Sequence, residues 1–179
     1  MNILRALGRP ATRWLAVLLG RGLYRLRAVG REHLPATGPG LLVSNHVSLL
    51  DPLLLMACAG RPIRQFVRCP SDAESVRNAR EALEQGQLVC VFAEGDISRT
   101  GNLHPFQPFF EKITAGLSVP VIPTHLDGLW GSLFSACGTR FLFRWPPRLR
   151  RRVTMSFGPP LPEPEACAAR QAVLELAGA

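Results

Sequence analysis

The residues best suited to chemistry sit in Asn45-His46-Val47-Ser48-Leu49-Leu50-Asp51-Pro52. A histidine takes up a proton near neutral pH, and a carboxylate can fix its tautomer and stabilise its charged form. His46 and Asp51 offer that pair, as base and orienting acid. Asp followed by Pro is equally an ordinary helix N-cap with proline in the first turn. The two roles are compatible, because one carboxylate has about four acceptor sites. With 4 His and 13 acidic residues in the chain, roughly 0.3 such spacings arise by chance, so the spacing alone decides nothing.

A second polar segment is Phe92-Ala93-Glu94-Gly95-Asp96-Ile97-Ser98-Arg99-Thr100-Gly101. Small residues there let backbone N–H groups approach a phosphate, and Arg99 can bind one bidentately. A plain polar turn would have the same composition. A third segment, Val119-Pro120-Val121-Ile122-Pro123, reads as a strand bracketed by prolines, which suits an edge strand or a rigid strand end. There is no GxSxG elbow, which disfavours a serine hydrolase. No His/Cys cluster has metal-ligand spacing, so no metal is expected.

The elements that must position these residues alternate in type. Gly40–Ser44, Ile63–Arg68, Leu88–Phe92, Val119–Ile122, Phe141–Arg144 and Val153–Phe157 read as strands. Between them, Pro52–Ala59, a segment from Ser71 (with a capping-box spacing to Glu74) to a stop at Gly86, and Phe109–Ala115 read as helices. Glu165–Leu176 closes the chain as another helix. Such alternation predicts an α/β sheet with right-handed crossovers, whose ligands lie beyond the carboxyl ends of the strands. The loops after Ser44 and Phe92 are therefore the places to look.

Residues 11–26 carry a helical pattern, with Leu15, Leu18, Leu19 and Leu26 on one face and Arg13, Arg21 and Arg25 on another. At 16 residues this helix would be roughly 24 Å long, too short to span about 30 Å of hydrocarbon. With Trp14 and Tyr24 at headgroup level it would suit a helix lying in a membrane interface. Packing on the domain's own core is the alternative. The division expected is a helical segment over 1–28 and one α/β domain over 29–179.

The 179 residues are 47% hydrophobic and 19% charged, which excludes a disordered chain. The formal net charge of +8 favours an anionic partner. All but Lys112 of the 21 basic residues are Arg, a bias that genome composition alone can produce. Five cysteines without a CxxC pair point to reduced, mostly buried thiols. No apolar stretch of transmembrane length occurs, and the arginines of the N-terminus interrupt any signal-like centre. A cytoplasmic protein is expected.

NHxxxxD, a strand ending in F-x-E-G, and VPVIP, in that order, resemble the glycerolipid acyltransferase superfamily. FAEGDISRTGNLHPF, VPVIPTHLDGLWGSLFS and VTMSFGPPLP are most similar to the acyltransferase part of the acyl-ACP–phospholipid O-acyltransferases, which reacylate lysophosphatidylethanolamine. The resemblance covers roughly residues 25 to 176. It implies one α/β domain with a mixed, mostly parallel sheet flanked by helices, as in glycerol-3-phosphate acyltransferases. It puts His46 and Asp51 on the catalytic dyad. Asn45, Ser48, Phe92, Glu94, Gly95, Ser98, Arg99, Thr100 and Gly101 fall on the substrate-binding motifs. The implied donor is acyl-ACP or acyl-CoA, with no permanently bound cofactor. The implied acceptor is a lysophospholipid at an anionic membrane surface, on the cytoplasmic side of the inner membrane. The hydroxyl of the acceptor would attack directly, with His46 as base and helix N-terminal amides near Asp51 holding the oxyanion.

Two departures fall on the acceptor side. Family members have a further helix and a Gly-rich apolar segment where Arg68-Cys69-Pro70 here runs straight to Ser71, an internal deletion near 69–71. Phe106 is followed by Gln107, Pro108 and Phe109 instead of the family's basic residue and glycine. These departures motivate an alternative, an inactive membrane-associated remnant. A second alternative, nucleic-acid binding, rests on Arg140, Arg144, Arg148, Arg150, Arg151 and Arg152 with interleaved aromatics, but no nucleic-acid module accompanies them.

Overall fold

The computed structural model describes residues 24–66, 73–132, 135 and 151–178. Six strands form one sheet: β1 (Tyr24–Val29), β2 (Gly40–Ser44), β3 (Ile63–Phe66), β4 (Leu88–Phe92), β5 (Val121–Asp127) and β6 (Arg151–Phe157). Their order across the sheet is β1-β6-β5-β2-β4-β3. Every neighbouring pair is parallel except β5 with β6. The helices are α1 (Asp51–Ala59), α2 (Ala73–Glu84), α3 (Phe109–Thr114) and α4 (Ala166–Ala177). The expected α/β architecture with a mixed, mostly parallel sheet is what forms.

The central strands β2 and β4, GLLVS and LVCVF, are buried at every position. Continuous apolar runs of this kind belong to parallel strands covered on both faces. Period-2 alternation then sorts their side chains. Leu42, Cys90, Phe92 and Ile122 face a core shared with Leu54 and Leu55 of α1, while Leu41, Val43, Val89 and Val91 face one shared with α2, α3 and α4. Two charged side chains tie the helical layer together. The guanidinium of Arg80 in α2 reaches the last carbonyls of α3, 2.7 Å from Ala115 O, and Glu111 of α3 accepts the Ala166 N–H at the start of α4 at 2.8 Å.

The chain leaves β2 for the far edge at β3, returns to β4, and crosses to β5 on the other side of β2. The strand order thus reverses at β2, and the crevice expected at such a point falls at the carboxyl ends of β4, β2 and β5.

Three expectations change. Tyr24, Arg25 and Leu26 belong to strand β1, not to a helix; the rest of the 11–26 pattern lies outside the described residues. In YRLRAV the buried and half-buried Tyr24, Leu26 and Ala28 alternate with exposed Arg25, Arg27 and Val29, the signature of a one-sided strand. Tyr24 is therefore core, not a headgroup anchor. Second, the strand expected to end at Ile122 continues through Pro123 to Asp127. Pro123 is tolerated because the β5–β6 ladder begins only at Thr124, so its missing N–H removes no rung. Third, Cys58 and Cys90 are buried thiols as expected, but Cys167 is exposed. The expected strand Phe141–Arg144, the deletion near 69–71 and the arginines from Arg140 to Arg150 lie outside the described residues.

Candidate active site

The end of β2 delivers Asn45 and His46 into the crevice. Asn45 leaves the strand but extends its ladder: its Nδ2 donates to Leu126 O at 3.0 Å and its Oδ1 accepts the Leu126 N–H at 2.8 Å. A side-chain amide thereby replaces a peptide group where the main chain must turn away. His46 follows, wholly buried, its ring stacked on Phe92 with centroids 4.2 Å apart. Its Nδ1 lies 2.8 Å from Asp51 Oδ2. The same oxygen accepts the N–H groups of Val47 at 2.7 Å and Ser48 at 2.9 Å.

Asp51 is thus a helix residue whose carboxylate turns back into the loop. The N-cap position belongs to Leu50, and no side chain caps the helix, so the N-cap role expected of Asp51 is not the one it plays. With Asp51 ionised, Nδ1 of His46 carries the proton and Nε2 keeps its lone pair. Nε2 has no partner among the described residues. A base oriented in this way is ready to receive a proton from a hydroxyl. Of the first helix amides, expected to hold an oxyanion, two are otherwise occupied and one is missing. Asp51 N–H bonds Ser48 O, Leu54 N–H bonds Leu50 O, and Pro52 has none.

The loop after β4 is fastened to the first. Glu94 Oε1 accepts the His46 N–H at 2.9 Å, and Oε2 accepts the His104 N–H at 3.0 Å. Burial pushes its carboxyl above the usual range, although those two backbone bonds and the nearby histidines act the other way. Ser98 N–H donates to His46 O at 2.7 Å. The Ser98 hydroxyl donates to Asn102 O and accepts the Gly101 N–H, which shapes the turn. Gly95 makes the tight turn off the strand, its N–H bonding Phe92 O.

The structure therefore brings His46, Asp51, Asn45, Ser48, Phe92, Glu94, Gly95 and Ser98 together at the crevice. Arg99 and Thr100 are exposed on the outer turn, where the Thr100 hydroxyl lies 3.4 Å from His104 Nε2. Glu94 and Asn45 act as struts, every polar atom of their side chains engaged by backbone. Sequence reasoning missed the third wall, the turn after β5. Its Trp130 lies on Gly101, where a Cβ would come within 2.6 Å of the indole. The signal available was an aromatic residue between two glycines, Gly128-Leu129-Trp130-Gly131, directly after a strand.

A histidine held by an aspartate at the switch point of this sheet forms an oriented base. The chain belongs to the acyltransferase family, whose sequence model matches residues 25–70 and 65–127. It is 28% identical to a probable 1-acyl-sn-glycerol-3-phosphate acyltransferase of Mycoplasma genitalium, over 54% of this chain and 47% of that protein. The chain thus spans about half the length of this curated relative. The crystal structure of the 1-acyl-sn-glycerophosphate (LPA) acyltransferase PlsC from Thermotoga maritima superposes with a TM-score of 0.70 at 20% identity, covering 97% of this chain and 80% of that one. At that identity the likeness is one of fold.

Proposed function

We propose that the protein transfers a fatty acyl group from an acyl thioester, acyl-ACP or acyl-CoA, to the free hydroxyl of a lysophospholipid. His46 Nε2 takes the hydroxyl proton as that oxygen attacks the thioester carbonyl. The new C–O bond forms, the C–S bond breaks, and the proton passes from His46 to the departing thiolate. Asp51 holds the imidazolium while it exists. No acyl-enzyme is needed, since the acceptor is the nucleophile. The reading rests above all on His46 Nδ1 lying 2.8 Å from Asp51 Oδ2 with Nε2 left unpartnered. The named relatives, acyltransferases of acylglycerol phosphates, support a glycerolipid acceptor. The net charge of +8 favours work at an anionic membrane surface, which we place on the cytoplasmic face of the inner membrane. No described helix is long and apolar enough to cross a membrane.

The test is acyl transfer from a labelled thioester to a lysophospholipid by the purified protein. General-base assistance is worth about 10²–10⁴ in rate, so His46→Ala should lose at least that much with its fold intact. Turnover near wild type in that variant would end the proposal. An inactive remnant is the second reading, motivated by the run from Arg68 to Ser71, where the two family matches overlap over residues 65–70. Absence of any transfer by the wild-type protein would favour it.

A further inference from the structure

The crevice as folded is closed. His46 is 0% exposed, yet a base must meet the hydroxyl whose proton it takes. The chain after β5 runs beside both loops that carry the site. Leu129 is fully buried in one core with Val47 and Phe92. Trp130 lies on Gly101 of the second loop, and Ser135 makes an antiparallel bridge with Ser48 of the first. Trp130 within the turn and Ser135 just past it thus each touch one of these loops. Gly128 and Gly131 hold φ of 88° and 72°, and a Cβ on Gly128 would collide with Arg152 O, so the bends on either side of Leu129-Trp130 need glycine.

Trp130 is nevertheless 41% exposed, and Leu49, next to Ser48, is 52% exposed. These are the large apolar side chains left open at this end of the sheet among the described residues. Val29 lies at the opposite end and Leu174 on α4. An indole is at home at the level of lipid headgroups, with leucine reaching deeper. Charge on the same rim is mixed: Arg99 and Arg151 stand with Asp96 and Asp127. Among the described residues, apolar contact and not net charge is what this rim offers.

We propose that the Gly128–Ser132 turn is a gate over His46, opened when Trp130 and Leu49 enter a lipid bilayer. The inference rests on the reading of the acceptor as a lipid. It explains why the base is sealed in the folded chain, since an exposed site would let water compete for the thioester.

The experiment measures how fast diethyl pyrocarbonate modifies His46 in the full-length chain, site by site by peptide mass spectrometry. Exposed His104 serves as the internal reference. In buffer His46 should react at least about tenfold more slowly than His104, and phosphatidylcholine vesicles should accelerate it by about tenfold. Trp130→Ala should lose the acceleration and Trp130→Phe keep part of it, both checked for fold by circular dichroism. In a Trp14→Phe, Trp145→Phe background, vesicles of brominated phosphatidylcholine should quench Trp130. A His46 rate in buffer equal to that of His104, equal rates with and without vesicles, full acceleration in Trp130→Ala, or absence of quenching would each overturn the gate. Carbethoxylation needs no acyl transfer, so failure of the transferase reading and failure of the gate are separately visible.

Discussion

The carboxamide of Asn45 pairs with both the N–H and the C=O of Leu126, extending the β2–β5 ladder one rung past the point where the chain departs. That rung fixes where His46 begins. Removing it in Asn45→Ala leaves two backbone groups without partners, at a cost of about 1–3 kcal/mol. Asn45→Asp keeps one acceptor but aims a carboxylate at the Leu126 carbonyl, so it should be destabilised at least as much. Urea denaturation checks both, and unchanged midpoints would mean that the rung contributes nothing to stability.

Glu94 joins the two loops through one oxygen each. Glu94→Gln supplies a single acceptor oxygen, so the N–H of His46 or of His104 loses its partner, at about 1–3 kcal/mol. The pH dependence has a definite sign. Burial raises the folded-state pKa above its ordinary value of 4.5, so the folded chain binds this proton more tightly than the unfolded one. The contribution is fully present below the unfolded pKa and is lost as pH rises through the folded value. The stability advantage of wild type over Glu94→Gln should therefore shrink from acid toward neutral pH. An advantage that grows over that range would contradict the assignment.

Gly101 has a φ of 79° and carries the Trp130 indole against it. Gly101→Ala meets both a left-handed backbone penalty of about 1–2 kcal/mol and a clash with the ring. In a Trp130→Ala background only the backbone term remains. A double-mutant cycle should show the Gly101→Ala cost falling when Trp130 is absent. Equal costs in the two backgrounds would mean the indole does not rest on this glycine.

Much of this arrangement was legible in the sequence where one local pattern sufficed. GLLVS and LVCVF are apolar throughout, and only a strand covered on both faces gives such short runs. His46 and Asp51 were legible because the loop between them is short enough to return the carboxylate to the ring. Tyr24 was misassigned because helical spacing from residue 11 onward overlaps the two-residue alternation of YRLRAV, and pairing with β6 decides in favour of the strand. The roles of Asn45 and Glu94 were not legible. Both depend on backbone groups, Leu126 and His104, brought to them only by the sheet order and the loop path. Trp130 was invisible for the same reason, since its partner Gly101 comes from a different strand end.

The sharpest test of His46 as a base oriented by Asp51 is the single-turnover rate of acyl transfer in Asp51→Asn. The asparagine oxygen can still accept the Val47 and Ser48 N–H groups that now bond Oδ2, which preserves the loop. That same oxygen faces His46 Nδ1, so the ring tautomer is kept, but the neutral amide no longer stabilises the imidazolium formed when Nε2 takes the proton. The expected outcome is a folded protein whose transfer rate is lower by at least about 100-fold, because a buried imidazolium without its carboxylate forfeits general-base assistance worth about 10²–10⁴. A folded Asp51→Asn protein transferring the acyl group within about twofold of wild type would contradict the catalytic role of the His46–Asp51 pair.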